Sequence, residues 1–110
     1  MKKPRAPRVV VKAPVSFEGR TGVGRGTTFN LSIGGCGFES RTELNMDSTL
    51  KMILHIPTDT KPVKVDRAKV VWAAGSDVGV EFLIMESTGR IRLQHYLEAC
   101  EQKTPKADLA

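Results

Sequence analysis

Thr27-Thr28-Phe29-Asn30-Leu31-Ser32-Ile33-Gly34-Gly35 decides how this chain folds, because it follows a glycine-rich run and must continue either as strand or as helix. Its polarity alternates. Phe29, Leu31 and Ile33 fall on one face of an extended strand, and Thr28, Asn30 and Ser32 fall on the other. A phosphate-cradling loop would need Gly-Lys-Ser/Thr opening a helix. The glycines at 19, 22, 24 and 26 lead instead into this strand, so they mark a hairpin. The pattern therefore sets an amide and a hydroxyl side by side on the non-core face. A Gly-Gly pair follows, with no side chain to keep a flat ligand off the main chain. It predicts a binding ledge.

Upstream, Val9, Val11, Ala13, Val15 and Phe17 share one face of a first strand, with Lys12 and Ser16 opposite and Pro14 implying an edge or bulge. Pro4 and Pro7 keep residues 1–8 from starting a helix, so these form a flexible basic arm. Downstream, Gly35 to Ser40 makes a short third strand with Phe38 inward. Leu50, Met52, Leu54 and Ile56 alternate with Lys51, Ile53 and His55 in a fourth, closed by Pro57. In the fifth, Val63 and Val65 are one residue out of step with Ala68, Val70 and Trp72, which places a bulge near Asp66-Arg67 and Trp72 on the apolar phase. Val78, Val80 and Phe82 form the sixth. The period then changes. Leu93, Tyr96, Leu97 and Cys100 lie at helical spacing, with Ser87 or Thr88 as N-cap, and 104–110 form a disordered tail. The expectation is an all-β fold with one helix: a six-stranded antiparallel β-barrel over residues 9–103 that ends in a C-terminal α-helix.

A chain of 110 residues, 40% hydrophobic and 26% charged, is long enough for one domain with one core. No apolar run approaches the roughly 20 residues that span a bilayer, and no apolar segment follows the basic N-terminus, so a cytoplasmic location is expected. Cys36 and Cys100 are far apart with no Cys-x-x-Cys, which favours free thiols over a disulfide or metal site. The net charge of +5 is unevenly placed: residues 1–26 carry +6 and residues 27–110 carry −1. A basic arm on a near-neutral body points to an anionic partner gripped locally. His55 and His95 are isolated, and no nucleophile–base pair or paired carboxylate emerges, so neither catalysis nor metal binding is expected. The few aromatic residues fall mostly on core phases, which speaks against a nucleic-acid-binding barrel.

Together these pieces resemble the PilZ domain family over most of the chain. Arg5-Ala6-Pro7-Arg8 stands before the first strand, where the family has an R-x-x-x-R element. Asn30-x-Ser32-x-x-Gly35 matches its [D/N]-x-S-x-x-G motif. Val70-Val71-Trp72 with Val78-Gly79-Val80-Glu81-Phe82 resembles its closing strand pair, and a terminal helix ends the domain. The likeness implies a barrel that binds the bacterial second messenger cyclic di-GMP, with the arm wrapped over the nucleotide and the ledge holding a guanine. Arg5, Arg8, Asn30, Ser32, Gly34 and Gly35 are then the ligand-binding residues, with Lys3, Arg41 and Trp72 as secondary contacts and no cofactor. Arginine suits the role, since a guanidinium forks onto phosphate oxygens and stacks on purines. One departure is plain: Arg5 and Arg8 are three apart where the family spaces its arginines four apart, and aligning on Arg8 leaves Pro4 in the first arginine position. The resemblance implies a stand-alone receptor, a monomer or weak homodimer, that relays the signal to an effector protein without inserting in a membrane. The alternative is a nucleotide-independent adaptor in pilus or motility machinery.

Overall fold

The computed structural model describes residues 8–20, 22–57 and 61–103. Most of the expected arm (residues 1–7, with Lys3 and Arg5) and the expected tail (104–110) lie outside the described residues. Six strands and one helix follow in order: β1 (Pro14–Gly19), β2 (Gly22–Ser32), β3 (Gly35–Ser40), β4 (Thr49–Leu54), β5 (Val63–Ala74), β6 (Asp77–Met85) and α1 (Ser87–Lys103). Every pairing is antiparallel, and the sheet closes on itself in the order β1-β2-β3-β6-β5-β4. Closure leaves no described strand without a neighbour on each side.

Alternation fills the interior as the sequence requires. Val15, Phe17, Phe38, Leu50, Met52, Leu54, Val63, Val65, Val78, Val80 and Phe82 are all buried. Phe17 and Phe38 meet inside with ring centroids 5.6 Å apart. The fifth strand carries the expected slip, its register with β6 shifting on both sides of Arg67, so that Val65 and Ala68 both point inward. Gly75, with φ 63°, makes the β5–β6 turn in the left-handed region that other residues avoid. From α1, Leu93 and Leu97 are buried and Tyr96 and Cys100 half-buried, the predicted stripe. Burying a leucine such as Leu93 stabilises the fold by roughly 1.5–3 kcal/mol. Arg92 pins the helix to the segment entering β5, donating to the carbonyls of Lys61 at 2.9 Å and Pro62 at 3.0 Å. The cap falls one residue early: the carbonyl of Glu86, not Ser87 or Thr88, marks the start by accepting from Arg90 N.

Expectations for three strands fail in part, each at a local interruption of the ladder. Regular strand begins at Pro14 rather than Val9, although Val11 and Ala13 keep their inward phase. Phe29 does not share the face of Leu31, because the β2–β3 register shifts between Thr28 and Asn30 and Phe29 is the extra residue. Trp72 leaves the apolar phase of Ala68 and Val70, because the β5–β6 register shifts again between Val70 and Trp72; it is 40% exposed on the outside.

Candidate functional site

The site grows from the bulge in β2. Thr28 turns inward there and is buried, its hydroxyl accepting from Ala13 N at 2.8 Å and donating to the carbonyl of Val11. A side chain thus supplies bonds beside the backbone one from Thr28 N to the Ala13 carbonyl at 2.9 Å, and residues 11–13 run along β2 without joining it as strand. Farther up, Val9 and Leu31 exchange two backbone hydrogen bonds at 2.9 Å. This bridge carries the end of the arm to the N-x-S-x-x-G stretch and sets Arg8 beside Asn30. Arg8 Nη1 donates to Asn30 Oδ1 at 2.7 Å, closing a contact between residues 22 positions apart. The same oxygen accepts from Gly37 N on β3 at 2.9 Å. Both neighbours are donors, so the amide must present its oxygen to them and its NH2 elsewhere.

The two glycines of the expected ledge have different reasons. Gly34 is exposed, with nothing within 4 Å of where a Cβ would stand, and its carbonyl accepts from Phe82 N at 2.9 Å. Gly35 is buried; a Cβ there would overlap the Val80 carbonyl oxygen of β6. Its bareness lets β3 and β6 approach and clears no space on the surface. Ser32, expected beside Asn30 on the outer face, is buried too. Its hydroxyl accepts from Gly34 N at 3.3 Å and donates to the Gly35 carbonyl at 3.2 Å, holding the turn that presents Gly34.

Three residues that the sequence reading left aside complete the surface. Asn30, Gly37, Gly79 and Trp72 are successive partners across β2, β3, β6 and β5. A Cβ at Gly37 would come within 2.5 Å of the Phe29 ring, and one at Gly79 would fall on Trp72 Nε1. Both rings therefore lie down over bare backbone and meet with centroids 6.4 Å apart at 39°. The available signal was a glycine inside each strand pattern, a mark of close approach.

Arg41 is not brought to this place. It follows the far end of β3, six residues from Gly35 or roughly 20 Å along a strand. There it lines an open cleft of about 1460 Å³ with Arg25, Glu39, Glu43 and His55. Beneath the ledge, Cys36 is fully enclosed as a free thiol, and burial pushes its pKa up to about 12, against the opposing pull of the nearby Arg8 charge.

This architecture is found in known proteins. The model of the PilZ domain matches residues 2–99. Among solved structures, the Bacillus subtilis inhibitor of motility (MotI/DgrA) superposes with a TM-score of 0.77 at 14% identity, covering 96% of this chain and 55% of that one. YcgR from Escherichia coli in complex with c-di-GMP gives 0.77 at 16% identity, covering 93% and 47%. The isolated PilZ domain of YcgR with c-di-GMP gives 0.71 at 14%, covering 93% and 94%. The chain thus spans about half the length of the MotI/DgrA and full YcgR chains. No curated protein matches it by sequence. At these identities the superpositions establish the fold, and the family model, which spans nearly the whole described barrel and helix, establishes the kinship: the chain belongs to the PilZ domain family.

Proposed function

We propose that this domain is a receptor for cyclic di-GMP, held between the arginines of its N-terminal arm and the outer face of the barrel around Asn30 and Gly34. The observation that carries the reading is the landing of Arg8 on Asn30, which joins the basic arm to the motif strand on an exposed surface. Two of the similar structures are themselves complexes with c-di-GMP, which supports the choice of ligand. In this reading Arg8 meets a phosphate or a purine face, and Arg5 and Lys3 contribute further positive charge for the phosphates. Gly34 gives a base clearance above the turn held by Ser32, and Gly35 serves by letting that turn pack on β6. Trp72, exposed and flat over Gly79, is a secondary stacking surface. The domain acts by binding alone, in the bacterial cytoplasm, and passes the signal to an effector protein through the surface the arm covers.

Titration calorimetry with cyclic di-GMP tests the reading. The wild-type chain is expected to bind, and Arg8→Ala to bind roughly ten- to a hundredfold more weakly, the equivalent of about 1.5–3 kcal/mol for a charge-assisted contact. No heat from the wild type at high micromolar nucleotide would sink it and leave the adaptor reading, which the short Arg5–Arg8 spacing favours.

A further inference from the structure

We propose that the end of β5, residues 71–74, is a strand edge through which two copies of this chain pair. β5 outruns its neighbour. Its ladder with β4 reaches no farther than Lys69, opposite Thr49, while the strand itself continues to Ala74. Past Lys69 only Val70 is bonded on that side: its carbonyl accepts from Asp47 N at 2.8 Å and its N–H donates to the Ser48 carbonyl at 2.9 Å. Among the described residues, 71–74 make no backbone bond there, whereas β6 and then β3 cover the other side. The two-residue turn at Gly75-Ser76 makes Ala74 and Asp77 a bonded pair, so Ala73 turns its N–H and carbonyl away from β6, towards the free side. Sheet edges are ordinarily guarded by charge or proline. This one has neither: Val71, Trp72, Ala73 and Ala74 are apolar and exposed. The Trp72 ring lies over Gly79, away from the edge, and the two alanines leave the main chain bare.

The length of the gap selects the occupant. Asp47 and Ser48 close it at Val70, so a peptide strand running on along β5 would collide with them. A second copy of the same hairpin needs no such run. With Ala73 opposite Ala73, Val71 stands opposite Gly75, where the incoming chain already turns back. Such an isologous pair exchanges two Ala73 N–H···O=C bonds about a two-fold axis. No charged side chain lies in the paired stretch, so none faces its like. Because the axis is perpendicular to the sheet, both copies present Asn30, Gly37, Gly79 and Trp72 on the same side of one continuous sheet. Four residues a side is little area, so the pairing is weak and reversible.

Sedimentation equilibrium of the full chain without nucleotide tests this apart from the receptor reading. The average mass should rise from that of one chain at about 10 µM towards that of two at about 1 mM. Ala73→Pro removes an N–H with no partner inside the monomer, and Ala74→Lys puts a charge on the edge. Each should keep the thermal midpoint of wild type and hold the mass at one chain throughout. In a mixture of labelled and unlabelled chains, NMR should show Trp72 Hα of one copy close to Ala74 Hα of the other, the non-bonded pair beside Ala73. A wild type still monomeric at about 1 mM, or a dimer that persists in both variants without that contact, would overturn the proposal.

Discussion

The two ends of β3 offer two surfaces with arginines on them, and they differ in how those arginines are held. Beyond Ser40, Arg25 and Arg41 line an open cleft of about 1460 Å³ that they share with Glu39 and Glu43. Among the described residues neither arginine has a hydrogen-bonding or ion-pairing partner. At the Gly35 end the groups are fixed one upon another: Gly37 N holds Asn30, Asn30 holds Arg8, and the Gly34–Gly35 turn is bonded to Ser32 and Phe82. The cleft has room and both signs of charge; the ledge has a cation in a set place. Ligand affinity follows pre-ordered groups more closely than volume, which is why the proposed receptor reading takes the ledge although the cleft is large.

The strongest way to break the ledge is from below. Gly35→Ala drives a methyl into the Val80 carbonyl, a main-chain atom that cannot swing aside, and should cost about 1–3 kcal/mol. Thermal unfolding would show this as a midpoint lowered by about 4–8 °C per kcal/mol. An unchanged midpoint would mean that β6 yields and that Gly35 is not there for packing.

A smaller effect, opposite in sign for stability, should come one residue earlier. Gly34→Ala meets open space and a negative φ, so it should raise stability by about 0.4–1 kcal/mol by narrowing the unfolded ensemble. The same methyl stands where a base would rest, and the calorimetric affinity for cyclic di-GMP should drop severalfold. A variant both more stable and equally tight would take the ligand off this turn.

The least effect is expected at the cleft. Arg25→Ala with Arg41→Ala should change nucleotide affinity by less than about twofold, because roughly 20 Å of strand exceeds a screening length of about 8–10 Å at ordinary salt. A tenfold loss would move the site to the Ser40 end and reverse the comparison.

How far the site could be read beforehand depended on the kind of interaction each residue makes. Arg8, Asn30 and Gly34 carry local signals, charge in an arm, an amide in a strand and a glycine in a turn; the first two meet, and the third is exposed at the turn that ends the same strand. Ser32 and Gly35 carried equally clear signals that meant something else. Their environment is set by Gly34 N, the Gly35 carbonyl and the Val80 carbonyl, and the last of these comes from a strand some 45 residues later. Phe29 and Trp72 were misplaced for a related reason. Strict period-two reading assumes an unbroken ladder, and a one-residue bulge inverts every face beyond it. The bulge at Arg67 was legible because apolar residues stand on both sides of the slip. Those at Phe29 and Val71 were not, since an aromatic residue suits either face.

The sequence by itself determined a barrel of six strands with a closing helix, since alternation and helical period are properties of neighbouring residues. It also determined that positive charge is gathered in the arm. Only the tertiary structure decided which glycine is surface and which is packing, and that Gly37 and Gly79 bare the floor under two rings. It alone set Arg8 on Asn30. Those outcomes depend on which atoms of distant strands arrive opposite one another, and that follows from register and bulges across the closed sheet.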